Sequence, residues 1–151
     1  MARIAGTEIR PGVFDPLVTI LLPGLQRPDG SVVTWRGLAI VDSGADFSII
    51  PAEIFLAAGV DWDKLPAPIE TSHGAGGPLR YRWHDGNLIW EGHVIATRYA
   101  VGELGRVPLP LLGRDDFFRR FNVRFRWFKT PPEIEIDPGV VASSRTRRRA
   151  R

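Results

Sequence analysis

Asp42 sits in Val41-Asp42-Ser43-Gly44-Ala45-Asp46, a hydrophilic turn set between two apolar runs. Residues 38–41 read as a buried strand before it, and Phe47, Ile49 and Ile50 read as another after it. A carboxylate placed there is expensive to bury unless hydrogen bonds or chemistry compensate. Gly44 gives the turn a permissive backbone, and Ser43 offers a hydroxyl that bonds locally. Two readings of Asp42 follow. In one it is the side chain of an ordinary Asx turn, serving only its own loop. In the other, chemistry performed by the carboxylate compensates its burial. Ser43 is a poor hydrolase nucleophile, because the Gly-x-Ser-x-Gly elbow is missing.

Two further segments bear on that choice. Leu109-Pro110-Leu111-Leu112-Gly113-Arg114-Asp115 is an apolar strand ending in Gly-Arg-Asp. It runs into Asp116 and then Phe117, Phe118 and Phe121 at helical spacing, with Asp115 and Asp116 suited to a helix N-terminus. Between this segment and the Asp42 turn lies His73-Gly74-Ala75-Gly76-Gly77-Pro78, a glycine-rich tip. As a phosphate cradle the tip is unsuitable, since no Lys-Ser/Thr follows and Pro78 lacks a donor. The other simple reading is a flexible hairpin turn.

In this order the three segments resemble the retropepsin family of single-domain aspartic proteases, over roughly residues 17–127, in a style closer to bacterial retropepsin-like proteins than to viral ones. The resemblance implies that Asp42 is catalytic, and that Gly74, Ala75, Gly76 and Gly77 form a flap over bound peptide. It also implies that Ser43 bonds across a dimer axis and that Gly44 and Ala45 leave room for substrate. Asp46 would meet substrate backbone while pairing with Arg114. One Asp-Ser-Gly motif and no internal repeat mean that a complete site needs a homodimer, acting on an extended peptide or protein. Such chemistry uses no metal and no cofactor. The competing expectation is a module with this fold that dimerises or binds peptides without cutting them.

The elements that must position these residues read as all-β. Residues 17–22 form an apolar strand, punctuated by Pro23-Gly24, and residues 31–41 form its partner. Residues 51–58 suit a short helix, with Ile54, Phe55 and Ala58 on one face. Residues 61–68 read as a loop. Residues 69–72 and 79–83 flank the glycine tip, residues 87–90 and 93–101 flank Glu91-Gly92, and residues 123–128 and 133–136 form a terminal hairpin. Tyr81 and Trp83 could line a pocket or simply pack. Short strands, frequent turns and one or two short helices predict a small closed β-barrel, of the acid-protease type if the resemblance holds.

At 151 residues, 44% of them hydrophobic, the chain supports one packed domain, expected over residues 1–142. The formal charge is +3, but five arginines fall within the last seven residues. Without them the body holds 15 basic against 17 acidic residues, so the basic character belongs to the tail, residues 143–151. That tail reads as a solvated, flexible terminus rather than a nucleic-acid arm, because no aromatic residue is interleaved. His73, His84 and His93 lack any metal-ligand spacing. There are no cysteines, so disulfides and thiolate chemistry are excluded. No apolar stretch follows the first six residues as a leader would require, and none approaches the roughly 20 needed to span a bilayer, so the expected location is cytoplasmic, away from membranes.

Overall fold

Strand-forming sequence dominates the computed structural model, which describes residues 1–74 and 76–138. Ala75 of the expected flap and the basic tail lie outside the described residues. The chain opens with β1 (Ala2–Ala5), then a hairpin of β2 (Thr7–Arg10) and β3 (Val13–Asp15). β4 (Leu17–Gln26) and β5 (Val32–Val41) form a long antiparallel pair. β6 (Ile49–Pro51) runs into α1 (Ala52–Ala57) and a 3-10 turn, Trp62–Lys64. β7 (Ile69–Gly74), β8 (Gly77–Trp90) and β9 (His93–Gly102) follow as an antiparallel meander. The last elements are β10 (Leu111–Leu112), α2 (Phe117–Arg120), β11 (Phe121–Arg126) and β12 (Glu133–Pro138).

The sheet order β4-β5-β10-β6-β9-β8 closes on itself through the pairing of Leu21 on β4 with Ile89 on β8. The result is the expected small all-β protein with a closed six-stranded barrel and two short helices. Within this sheet, among the described residues, β7 alone stays outside the ring, paired to β8. A separate sheet, β1-β12-β11, packs Ile134 and Ile136 into the same core that holds Ile20, Leu22, Phe55, Phe117 and Phe121. Burying each such side chain contributes about 1.5–3 kcal/mol. Among the described residues no helix is long and apolar enough to cross a membrane.

Several local expectations shift. Pro23-Gly24 does not end the first strand but lies inside β4, where the register slips between Leu22 and Leu25 and Gly24 takes φ 75°. The extra residue reverses the inward parity, from Val18, Ile20 and Leu22 to Leu25, so that the whole strand still buries its apolar side chains. The predicted strands 79–83 and 87–90 are one strand, because Asp85, Gly86 and Asn87 stay in ladder with β9. Gly86 is needed there: a Cβ would come 2.9 Å from the Tyr99 hydroxyl. Phe121 belongs to β11 rather than to the helix, which stops at Arg120, and β11 itself ends at Arg126. It remains buried against the Phe117 ring, 4.8 Å away between centroids. Phe47 stays outside β6, and the strand expected from residue 109 is paired only at Leu111 and Leu112. The N-terminal strands β1 to β3 escaped prediction, since their side chains are mostly exposed and lack a long apolar alternation. Glu91 and Gly92 do form the β8–β9 turn, both at positive φ.

His84, on β8, stacks on Tyr99 at 5.4 Å and meets the Phe55 ring edge-on at 5.0 Å. Its Nδ1 has no hydrogen-bond partner among the described residues. Loss of solvent pushes the imidazole pKa down, with the Asp85 charge opposing the shift more weakly. Unfolded histidine takes up its proton near pH 6.5, so below that pH the unfolded chain binds more protons than the folded one. The neutral-histidine contribution to stability is therefore complete above about pH 6.5 and drains away as pH falls toward the folded value. The urea midpoint of the protein is expected to decline between pH 7 and pH 5. In His84→Phe that decline should be smaller; an unchanged slope would show that His84 is not the titrating group.

Candidate active site

Two neighbouring parallel strands, β5 and β10, end at the same edge of the barrel, in register at Ile40–Leu111 and Val41–Leu112. β5 delivers Asp42 and β10 delivers Gly113-Arg114. The two exits are joined by backbone bonds: the Asp42 N–H donates to the Leu112 carbonyl at 3.0 Å, and the Arg114 N–H to the Ala45 carbonyl at 2.9 Å. The Asp115 N–H adds a third, to the Asp46 carbonyl at 2.9 Å. Within the turn, Asp42 Oδ1 accepts from the Gly44 N–H at 2.9 Å, and the Ala45 N–H closes onto the Asp42 carbonyl at 3.2 Å. The Asx turn of the simpler reading is therefore present. It engages one carboxylate oxygen with its own loop, and the half-buried Asp42 still lines the cavity above.

That cavity has a volume of about 600 Å³. Asp42, Gly44, Ala45 and Asp46 line it together with Gly74, Gly76 and Gly77 of the β7–β8 hairpin. Ile49, Leu79, Val107 and Leu111 supply apolar walls. The structure thus brings the Asp42 turn, the described flap glycines and the strand before Gly113 to one concave site. Of those glycines only Gly77 takes positive φ, at 94°. Ser43 is exposed beside Asp42. Arg114 does form the expected ion pair with Asp46, although the two side chains are 56% and 73% exposed. Such a pair is worth about 0–1 kcal/mol, so the backbone bonds, not the charges, hold the loop. Tyr81 and Trp83 do not line this cavity: their rings pack 5.4 Å and 4.8 Å from that of Phe47, tying the Asp42 loop to the base of the hairpin, and Trp83 lines two other cavities.

Two supports escaped the sequence reading. Gly113 passes so close to Phe47 that a Cβ would sit 2.4 Å from its carbonyl carbon, so no larger residue fits there. From its sequence context Asp116 is expected only as a helix-start charge. It does cap α2, accepting from the Phe117 N–H at 2.7 Å. It is also buried, accepting from Ser48 Oγ and, at 2.9 Å, from Thr97 Oγ1. Ser48 Oγ in turn accepts from the Gly113 N–H at 3.0 Å. One signal was available: Ser48 shares the inward parity of Ile50, so a fully buried hydroxyl needed a partner.

These contacts rank the supports. Asp116→Ala strands Ser48, Thr97 and a helix N–H, and is expected to cost about 3 kcal/mol or more in urea denaturation. Arg114→Ala should cost less than about 1 kcal/mol. Equal losses for the two variants would contradict this ordering.

The chain matches no protein-family model and no curated protein.

Proposed function

We propose that the protein is an aspartic endopeptidase of the retropepsin kind, with Asp42 as the catalytic residue contributed by each subunit of a homodimer. The observation that carries the reading is the single cavity shared by the Asp42 turn and the glycine hairpin, with apolar walls suited to an extended peptide. Two carboxylates line the cavity, but Asp46 is engaged by Arg114, which leaves Asp42 alone within one chain. Acid–base catalysis by paired carboxylates needs a second one, and a two-fold axis beside the turn supplies it as the other copy's equivalent residue.

In that pair the two carboxyl groups cannot both ionise cheaply, so they share one proton. The charged member takes a proton from water as the water oxygen attacks the peptide carbonyl. The neutral member gives its proton to the carbonyl oxygen, forming a tetrahedral diol. Collapse of the diol returns a proton to the departing amine and breaks the C–N bond. The pair titrates as a unit with two apparent pKa values.

Cleavage of peptide mixtures is expected to be fastest at roughly pH 4–6, where the pair holds one proton. Asp42→Asn should lower kcat/KM by about 10²–10⁴-fold, with the dimer retained in a solution mass measurement. Cleavage that survives Asp42→Asn, or that proceeds in a strictly monomeric protein, would overturn the proposal. Peptide binding by a dimer that never cuts would instead identify a non-catalytic binding module.

A further inference from the structure

Arg106 heads the segment that forms one wall of the cavity with Asp42. The backbone around it is held in place: the Gly105 N–H donates to the Glu53 carboxylate, and the Glu103 N–H donates to the Arg80 carbonyl at 3.0 Å. Its Nη2 donates to the Pro78 carbonyl on the glycine hairpin at 2.8 Å. A guanidinium carries five N–H donors in a planar fork, so donors remain after that bond. The neighbouring carboxylates are already engaged. Glu103 pairs with Arg80 Nη2 at 2.8 Å and Nε at 2.9 Å, Glu53 accepts from Gly105, and Asp46 pairs with Arg114. Among the described residues Arg106 thus forms no ion pair, and it is the one arginine lining this cavity.

We infer that Arg106 determines specificity, selecting peptides that carry an Asp or Glu side chain within a few residues of the cleaved bond; the inference rests on the peptide-cleaving reading above. A carboxylate is the group that matches a guanidinium fork bidentately. In open solvent the pair would contribute little. A peptide seated between the hairpin and the Asp42 turn removes water from around it, and the attraction strengthens as the local dielectric falls. The apolar walls formed by Ile49, Leu79, Val107 and Leu111 then receive the adjoining side chains. His73 is the other basic side chain on the cavity wall and the rival source of such a preference.

The test is a cleavage-site profile, read by mass spectrometry, on a denatured whole proteome. The wild-type protein is expected to show Asp and Glu enriched about five- to tenfold over Asn and Gln at one position within four residues of the cut. Arg106→Gln should level that enrichment, Arg106→Lys should retain part of it, and Arg106→Glu should shift the position toward Lys and Arg. His73→Gln should leave the enrichment in place. Cutting by the wild-type protein without acidic enrichment overturns this inference and leaves the protease reading standing. So does enrichment that survives Arg106→Gln or disappears in His73→Gln. Absence of cutting by the wild-type dimer overturns both.

Discussion

A single buried carboxylate fastens the parts of this protein that build its cavity. Asp116 accepts from Ser48 just before β6, from Thr97 on β9 and from the first N–H of α2, and Ser48 passes the connection on to Gly113 at the exit of β10. No cation is paired with it among the described residues. Its burial is offset instead by three donors aimed at its two oxygens, the arrangement that makes an interior carboxylate tolerable. Because the three donors, and Gly113 bonded through Ser48, lie on four separate stretches of chain, the network is satisfied only when the barrel is assembled. It therefore favours one mutual placement of β6, β9, β10 and α2 over looser alternatives.

The geometry of the cavity follows from that placement. β10 is two residues long, yet it wedges between β5, to which it is parallel, and β6, to which it is antiparallel. The parallel pairing makes both strands leave the sheet at one edge, which is why the turn that begins at Asp42 meets Arg114 although 72 positions separate those two residues in sequence. The wedge is tight enough to demand glycine at position 113. Phe47, lodged against Tyr81 and Trp83, sets the height of the Asp42 turn relative to the glycine hairpin. Arg106 completes the enclosure from the remaining side by its bond to the Pro78 carbonyl. A rigid barrel edge, a hairpin and a charged rim are thereby brought around one partly buried carboxylate.

Much of this was legible in the residues. The apolar strand of residues 17–22, the strands on either side of the Glu91-Gly92 turn and the helix after Pro51 follow from local physics, and local physics acts within a few residues. The Asp42 turn, the glycine tip and Gly113-Arg114 were visible as motifs for the same reason. What escaped was of two kinds. Weakly patterned elements such as β1 to β3 gain their order from pairing with distant strands or with each other, not from their own apolar periodicity. Buried polar groups such as Ser48 and Asp116 look like surface residues until their partners arrive from elsewhere in the chain.

Residue types and spacing alone determined that this is an all-β chain with one Asp-Ser-Gly turn, a glycine-rich hairpin and a Gly-Arg-Asp segment. They determined this because side-chain period, turn chemistry and backbone freedom are properties of short stretches. Only the tertiary structure decided that the three segments share one cavity and that Asp116 rather than the Arg114–Asp46 pair anchors them. It also decided that Arg106 stands on the cavity wall with no ion pair among the described residues. Those outcomes depend on strand order, register and burial, which set the distance and the dielectric between groups, and neither is encoded at any single position.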